Sequence, residues 1–319
     1  MRVLTLVLCL IAPPALADIE AVVDDHIRPG YARFAETTAQ LAALDSCDPA
    51  VLQPAYQAAF DAWMGVSHLL LGPVEDDGRS LAIAFWPDPK SSGAKAQREL
   101  LTGDPAALAP ERFAEQSVAA RGLMGLERLL YPAEPLPADP CALIHATTRD
   151  LARMAAEVDA GWGDFGEVLE HAGAPGNTTY LSEIEARQAL FTQLVTGLEF
   201  VADERLGRPL GTFDKPRPER AEARASGRSL RNVTLSLAAL RDLAKALNPD
   251  SPLTLAAFDR ALDLAAKLDD PALQGVADPH GRLKVEILQA AVETIIDTAT
   301  AEMVPALGVG LGFNAADGD

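Results

Sequence analysis

Apolar side chains along this chain return in alternating steps of four and three, the spacing that lines one face of an α-helix. Ile144, Thr148, Leu151, Ala155, Val158, Trp162, Phe165 and Leu169 keep that rhythm without a break, opened by Pro140-Cys141 and closed by Gly173-Ala174-Pro175-Gly176. Tyr56, Phe60 and Trp63, reaching Leu70, give a second stripe, closed by Gly72-Pro73. Leu230, Val233, Leu237, Leu240, Ala244 and Leu247 give a third, stopped by Asn248-Pro249, and Val285, Leu288, Val292, Ile295 and Ala299 a late one. No useful length alternates with period two, so no strand is required and the fold class is all-α. Long helices separated by short Pro/Gly breaks read as antiparallel bundles. The break at 173–179 divides the chain into 18–172 and 173–319, each with room for about four long helices. Gly-Leu-Glu occurs at 125–127 and again at 197–199, too short a match to count as a repeat. Two stretches, 72–95 and 207–220, are too polar and Pro-rich for core, and loops of that kind on a rigid scaffold are where function collects.

The N-terminus departs from this pattern. Arg2, the apolar run Val3 to Ile11 and Ala15-Leu16-Ala17 follow the order of a secretory leader, predicting a signal peptide over residues 1–17 cleaved after Ala17, and a periplasmic destination. A membrane anchor is the alternative, but the run is short for ~30 Å of hydrocarbon and Pro13-Pro14 interrupts it. The chain carries 27 basic and 46 acidic residues, a net charge of −19. Loss of Arg2 with the leader makes it more negative still. Such a surface repels nucleic acid and anionic lipid, which excludes both as partners. Cys9 leaves with the leader, so Cys47 and Cys141 remain as an even pair. In an oxidising compartment such a pair forms a disulfide, the alternative being two buried free thiols.

Signatures of common chemistries are absent: the sequence has no His-Glu-x-x-His pair, phosphate loop or Gly-x-Ser-x-Gly elbow. His26, His68, His145, His171 and His280 are scattered. Glu167 and His171 lie one helical turn apart, which suits an ion pair at a helix C-terminus better than a two-ligand metal site. His68, beside an apolar stripe, reads as a satisfied near-core histidine.

The run Arg121-Gly-Leu-Met-Gly-Leu-Glu-Arg-Leu-Leu-Tyr131 carries more. On a helix, Met124 and Glu127 share a face beside the stripe of Leu123, Leu126 and Leu130, which places Glu127 at the edge of a core. Gly122 and Gly125 would let a neighbour approach closely, at ~1 kcal/mol each in helix propensity. An ordinary amphipathic helix with Glu127 solvated is the plainer alternative. Between Lys215 and Arg231 six cations (Lys215, Arg217, Arg220, Arg224, Arg228, Arg231) stand against two acids (Glu219, Glu222). If Pro218 opens a helix, Arg220, Arg224, Arg228 and Arg231 share one face, a row able to hold a carboxylate or phosphate. Pairing with the protein's own acids is the equal alternative.

Residues 72–90 (GPVEDDGRSLAIAFWPDPK), 121–132 (RGLMGLERLLYP), 220–237 (RAEARASGRSLRNVTLSL) and 307–319 (LGVGLGFNAADGD) together resemble the imelysin family of bacterial proteins, often linked to iron uptake. The resemblance implies two helical bundles facing each other across a cleft. It also implies a Gly-x-His-x-x-Glu hallmark there, with Gly122 in the glycine place, Glu127 in the glutamate place and Met124 where the histidine belongs. A thioether cannot act as a general base and is a poor ligand for hard ions. The expectation is therefore a periplasmic accessory or binding protein of iron uptake, taking iron, another metal ion or a metal chelate. Gly122, Met124, Glu127 and Trp86 would form its cleft, with Glu127 as metal ligand, and Arg224, Ser226, Arg228, Ser229, Arg231 and Asn232 would bind anions. A transport component of the inner or outer membrane is the partner the resemblance suggests. The rivals are a metal-dependent peptidase of the imelysin type and a non-catalytic partner-binding module for a membrane protein.

Overall fold

The computed structural model describes residues 19–310; the leader and cleavage site expected at 1–17, and the tail from residue 311, lie outside the described residues. Among the described residues the architecture is all-α. The long helices are α1 (Arg28–Ala42), α2 (Pro49–Met64), α3 (Ser92–Thr102), α4 (Gly122–Leu130), α5 (Cys141–Glu170), α6 (Glu183–Glu199), α7 (Ser229–Leu247), α8 (Pro252–Ala266) and α9 (Pro279–Leu307). No strand forms among the described residues, the nearest thing being an isolated bridge between Thr212 and Lys215.

Local chemistry sets many of the boundaries. Asp48 accepts a hydrogen bond from the Ala50 amide, with Pro49 as the first residue of α2. Asp278 does the same for His280 and Gly281 ahead of Pro279 in α9, and Ser182 caps α6 through the Glu185 amide. At the end of α5 the Asn177 side chain donates to the carbonyls of Val168 (2.7 Å) and His171 (3.0 Å), two of the acceptors a helix end leaves orphaned. The stripe read from Tyr56 to Leu70 is shorter than its spacing implied. α2 stops at Met64, and the amides of Val66 and Ser67 both turn back to the Trp63 carbonyl.

Two helices widen into π-helical turns: Ile19–Val22 runs into Val23–Ile27, which continues as α1, and α6 runs into Phe200–Leu206. Helix α1 packs between α2 and α5, and α4 lies against α5 and α2. In the other bundle, α7, α8, α9 and α6 pack in succession, with α6 also touching α7. The bundles meet where α2 packs against α7. The stripe residues fill the cores: Leu151, Val158 and Trp162 of α5, Val233, Leu237 and Leu240 of α7, and Val285, Leu288 and Ile295 of α9 are all buried. No helix among the described residues is long and apolar enough to cross a membrane.

Cys47 and Cys141 form a disulfide with their Cα atoms 5.2 Å apart. It joins the residue before the α2 cap to the first residue of α5, closing a loop with a sequence separation of 94. Chain entropy alone assigns such a closure about 4–5 kcal/mol. Replacing both cysteines by serine is expected to lower the unfolding free energy measured by urea titration by most of that amount, and adding a reductant to the parent protein should reproduce the loss.

Candidate functional site

The site begins at the N-terminus of α4. Gly122 has φ +62°, and a Cβ there would fall onto the carbonyl oxygens of Ala82 and Ile83. Only glycine allows both the left-handed backbone and this approach. The close neighbour is thus the last turn of the short helix Arg79–Ile83, as the glycines suggested. One turn on, Met124 and Glu127 share a face. Glu127 is 5% exposed and accepts two hydrogen bonds from Ser226, from its amide at 2.9 Å and its hydroxyl at 2.7 Å. Burial pushes the Glu127 carboxyl up; the Ser226 bonds and the Arg128 charge pull it back without cancelling that rise.

Arg128 is part-buried beside it. Its Nε donates to Gln97 Oε1 at 2.9 Å and its Nη2 to the Ala119 carbonyl. Burial lowers its pKa, with Asp88 and Glu127 opposing. Asp88 is occupied at the start of α3, accepting from the Ser92 amide (2.9 Å), the Ser92 hydroxyl (2.8 Å) and the Gly93 amide (2.8 Å). Those donors outweigh its burial and hold it below the usual carboxylate range.

The helix predicted to open at Pro218 does not form. Pro218–Arg220 is a single 3-10 turn, residues 221–228 wind through turns, and α7 starts at Ser229. Ala223 and Gly227 both take left-handed backbone, at φ +46° and +69°, which breaks the helical path. The arginines therefore do not share one face. Arg220 and Arg224 stay exposed on the side of Glu127. Arg228 turns inward until it is 1% exposed, pairing with Asp61 (2.8 Å), donating to Gln57 and to Asn232 Oδ1 (3.2 Å), and lying 4.4 Å over the Phe60 ring. Arg231 pairs with the same Asp61. Both arginines overcome the burial of Asp61 and lower its pKa.

Asn232 donates to Glu222 Oε2 (2.9 Å), which also takes the Arg205 Nε (2.7 Å), while the Ser229 hydroxyl donates to the Glu222 carbonyl (2.7 Å). Arg228, Ser229, Arg231 and Asn232, expected to bind anions, are thus engaged by the protein itself. Ser226 is engaged by Glu127. Of the expected anion-binding set, Arg224 faces the cleft with its cation uncommitted.

That cleft has a volume of about 510 Å³ and brings together Trp86, Met124, Glu127, Arg128, Arg220 and Arg224. Arg208, paired with Glu204 at 3.1 Å, lies 6.0 Å over the Trp86 ring. Arg128 and Arg208 were not legible as site residues, because no periodicity or motif marks them. Among the described residues Arg128, Arg220 and Arg224 have no carboxylate within ion-pair distance.

A bare metal ion fits poorly here. Besides Glu127 the cleft is lined by a thioether, guanidinium groups and the carboxylates of Asp88 and Glu219, and among the described residues no cluster of three His, Cys, Asp or Glu ligand atoms includes Glu127. The clusters found among the described residues lie elsewhere. One is Cys47, Cys141 and His145, whose thiols are oxidised to the disulfide; the other is Glu167, Glu170 and His171 at the end of α5. In the second, His171 Nδ1 sits 3.4 Å from Glu167 in an exposed pair, as the spacing suggested. His68 is buried, its Nε2 3.1 Å from that of His26. Burial depresses both imidazoles, His26 to about 4.

The profile of the imelysin family, Peptidase M75, matches residues 27–299. Iron-regulated protein A of Synechococcus elongatus is 25% identical, over 90% of this chain and 85% of that protein. Among solved structures, an imelysin-like protein from Psychrobacter arcticum superposes with a TM-score of 0.75 at 20% identity, covering 95% of this chain and all of that one. A protein from Parabacteroides distasonis assigned as an iron-regulated protein A precursor superposes at 0.71 and 15% identity, covering 92% and 96%. At such identities the two structures speak for the fold.

Two outcomes follow from the buried charges. A carboxyl whose folded pKa lies above its unfolded value loses stability as pH rises from about 4.5 through the folded value, since the unfolded chain releases the proton first. Glu127→Gln keeps an acceptor for Ser226 and removes the titration. Its urea midpoint is therefore expected to fall less than the parent's between pH 4.5 and 8, and equal declines would contradict the buried carboxylate. Arg228→Ala strips Asp61 of its buried partner and should cost about 3 kcal/mol or more in the same assay.

Proposed function

The chain belongs to the imelysin family, and from that premise we propose that it is an exported binding protein that holds an anionic metal chelate, an iron complex in the first instance, in the cleft beside Glu127. The observation that carries this reading is the convergence of Arg128, Arg220 and Arg224 with no carboxylate among the described residues paired to any of them, in a protein of net charge −19. Cations left uncommitted among so many acids leave a local field that draws in an anion. Guanidinium groups match carboxylate oxygens two at a time. The aromatic face of Trp86 and the thioether of Met124 supply the apolar remainder of the wall.

Iron enters from the relatives: Iron-regulated protein A of Synechococcus elongatus, and the Parabacteroides distasonis structure assigned the same name. The donor set favours a metal that arrives already chelated. One buried carboxylate cannot enclose a hard cation, whereas a chelate presents outward-facing carboxylates to arginine. The same lack of donors, with Met124 in the histidine place, weighs against a metal-dependent peptidase. Export rests on the leader pattern at residues 1–17, and action outside the cytoplasm agrees with the disulfide.

Titration calorimetry with ferric citrate should give saturable binding that weakens as salt rises. Arg224→Gln, a change at an exposed side chain, is expected to reduce affinity roughly tenfold, as loss of one charge-assisted contact does. Absence of binding, or affinity indifferent to Arg224→Gln and Arg220→Gln, would overturn the proposal.

A further inference from the structure

A second cavity, of about 280 Å³, lies against the cleft, and Trp86 lines both. Neighbouring residues of one backbone stretch also line the two, Ala221 and Ala223 the cleft and Glu222 the chamber. The chamber walls are Trp63, Trp86, Phe200 and Leu240. Trp86 meets Phe200 edge to face, with ring centroids 6.0 Å apart. Leu70 and Leu81 line the same space and are half-exposed, an apolar entrance open to solvent.

Arg205, Glu222 and Ser236 of the chamber are engaged within the protein, while His68 Nδ1 is buried there without a hydrogen-bond partner. Arg205 gives its Nε to Glu222, places Nη2 3.6 Å from Met64 Sδ and stacks 4.8 Å over Phe200. The Ser236 hydroxyl donates to Met64 Sδ at 3.7 Å, and His68 Nε2 faces His26. No cation is left over for a second anionic group, so this space selects an apolar guest. Its size agrees, because an apolar cavity of roughly 150 Å³ takes a benzene ring.

We infer that the ligand of this protein is an aryl-bearing anion, its charged part held by Arg128, Arg220 and Arg224 in the cleft and its ring inserted past Trp86 into the chamber. The inference rests on the cleft reading above and narrows its ligand class. A simple carboxylate chelate fills one compartment, and a catechol-type chelate fills both. Burying a ring among Trp63, Phe200 and Leu240 is worth roughly tenfold or more in affinity at ordinary apolar transfer energies.

The test compares ferric complexes of citrate and of 2,3-dihydroxybenzoate by titration calorimetry on the full chain. It uses the parent protein and two variants that fill the chamber from different walls, Thr196→Trp and Ser80→Phe, each checked for native helical circular dichroism. The expected result is at least tenfold tighter binding of the aryl complex to the parent, with that advantage lost in whichever variants fold and citrate affinity kept. Equal affinity of the two complexes, or an aryl advantage that survives both filled chambers, overturns the inference and leaves the cleft reading standing. Failure of both complexes to bind the parent overturns the cleft reading and this inference with it.

Discussion

The constraint on which the rest depends is that charges buried between two helical bundles must be answered inside the protein, because water is not there to answer them. Residues 221–228 meet that constraint. Within eight residues this loop places Glu222 on Arg205, gives both Ser226 donors to Glu127, and sends Arg228 to Asp61. Two of those partners, Glu127 and Asp61, sit on α4 and α2, while the loop leads into α7. The seam between the bundles is thereby fastened by hydrogen-bonded charges as well as by apolar packing. Asp61 and Glu222 each have a second partner as well, Arg231 and Asn232, so the loop's charges are tied to the helices around it at several points.

A rigid seam allows Arg220 and Arg224 to remain uncommitted. The loop engages its one acid, Glu222, and its inward-facing Arg228 internally, and leaves Arg224, with Arg220 just before it, facing the cleft that Arg128 also lines. The same eight residues thus line both the cleft and the apolar chamber and present one of the cleft's cations. Binding chemistry and structural fastening share a backbone, which makes substitutions there hard to assign unless affinity and stability are measured together.

The helices were readable because a stripe recurring every three or four residues is a local signal that survives any tertiary arrangement. Glu127 was only half readable: the neighbouring leucines and glycines put it at the edge of a core, but a solvated carboxylate on an ordinary amphipathic helix remained the plainer alternative. The conformation of 221–228 was not readable. Its left-handed residues and the capture of Ser226 answer a carboxylate 99 residues away, and Arg228 finds Asp61 at a separation of 167. Composition showed an island of positive charge but not which members would turn inward. Arg128 escaped notice because its significance lies in being held by Gln97 and the Ala119 carbonyl and not by a described carboxylate, which no sequence pattern reports.

The π-helical turn at Phe200–Leu206 has a consequence for how relatives of this protein are compared. An α-helix turns about 100° per residue, so the wider turn shifts the face presented by every residue beyond it relative to α6. Arg205 lies within that shifted stretch, where it meets Glu222. Against a relative whose helix lacks this turn, an alignment carried through α6 without a one-residue offset would match Arg205 to a position pointing elsewhere, and a kept pair would look lost. Gap placement in this single turn therefore decides whether the buried pair can be traced across the family at all.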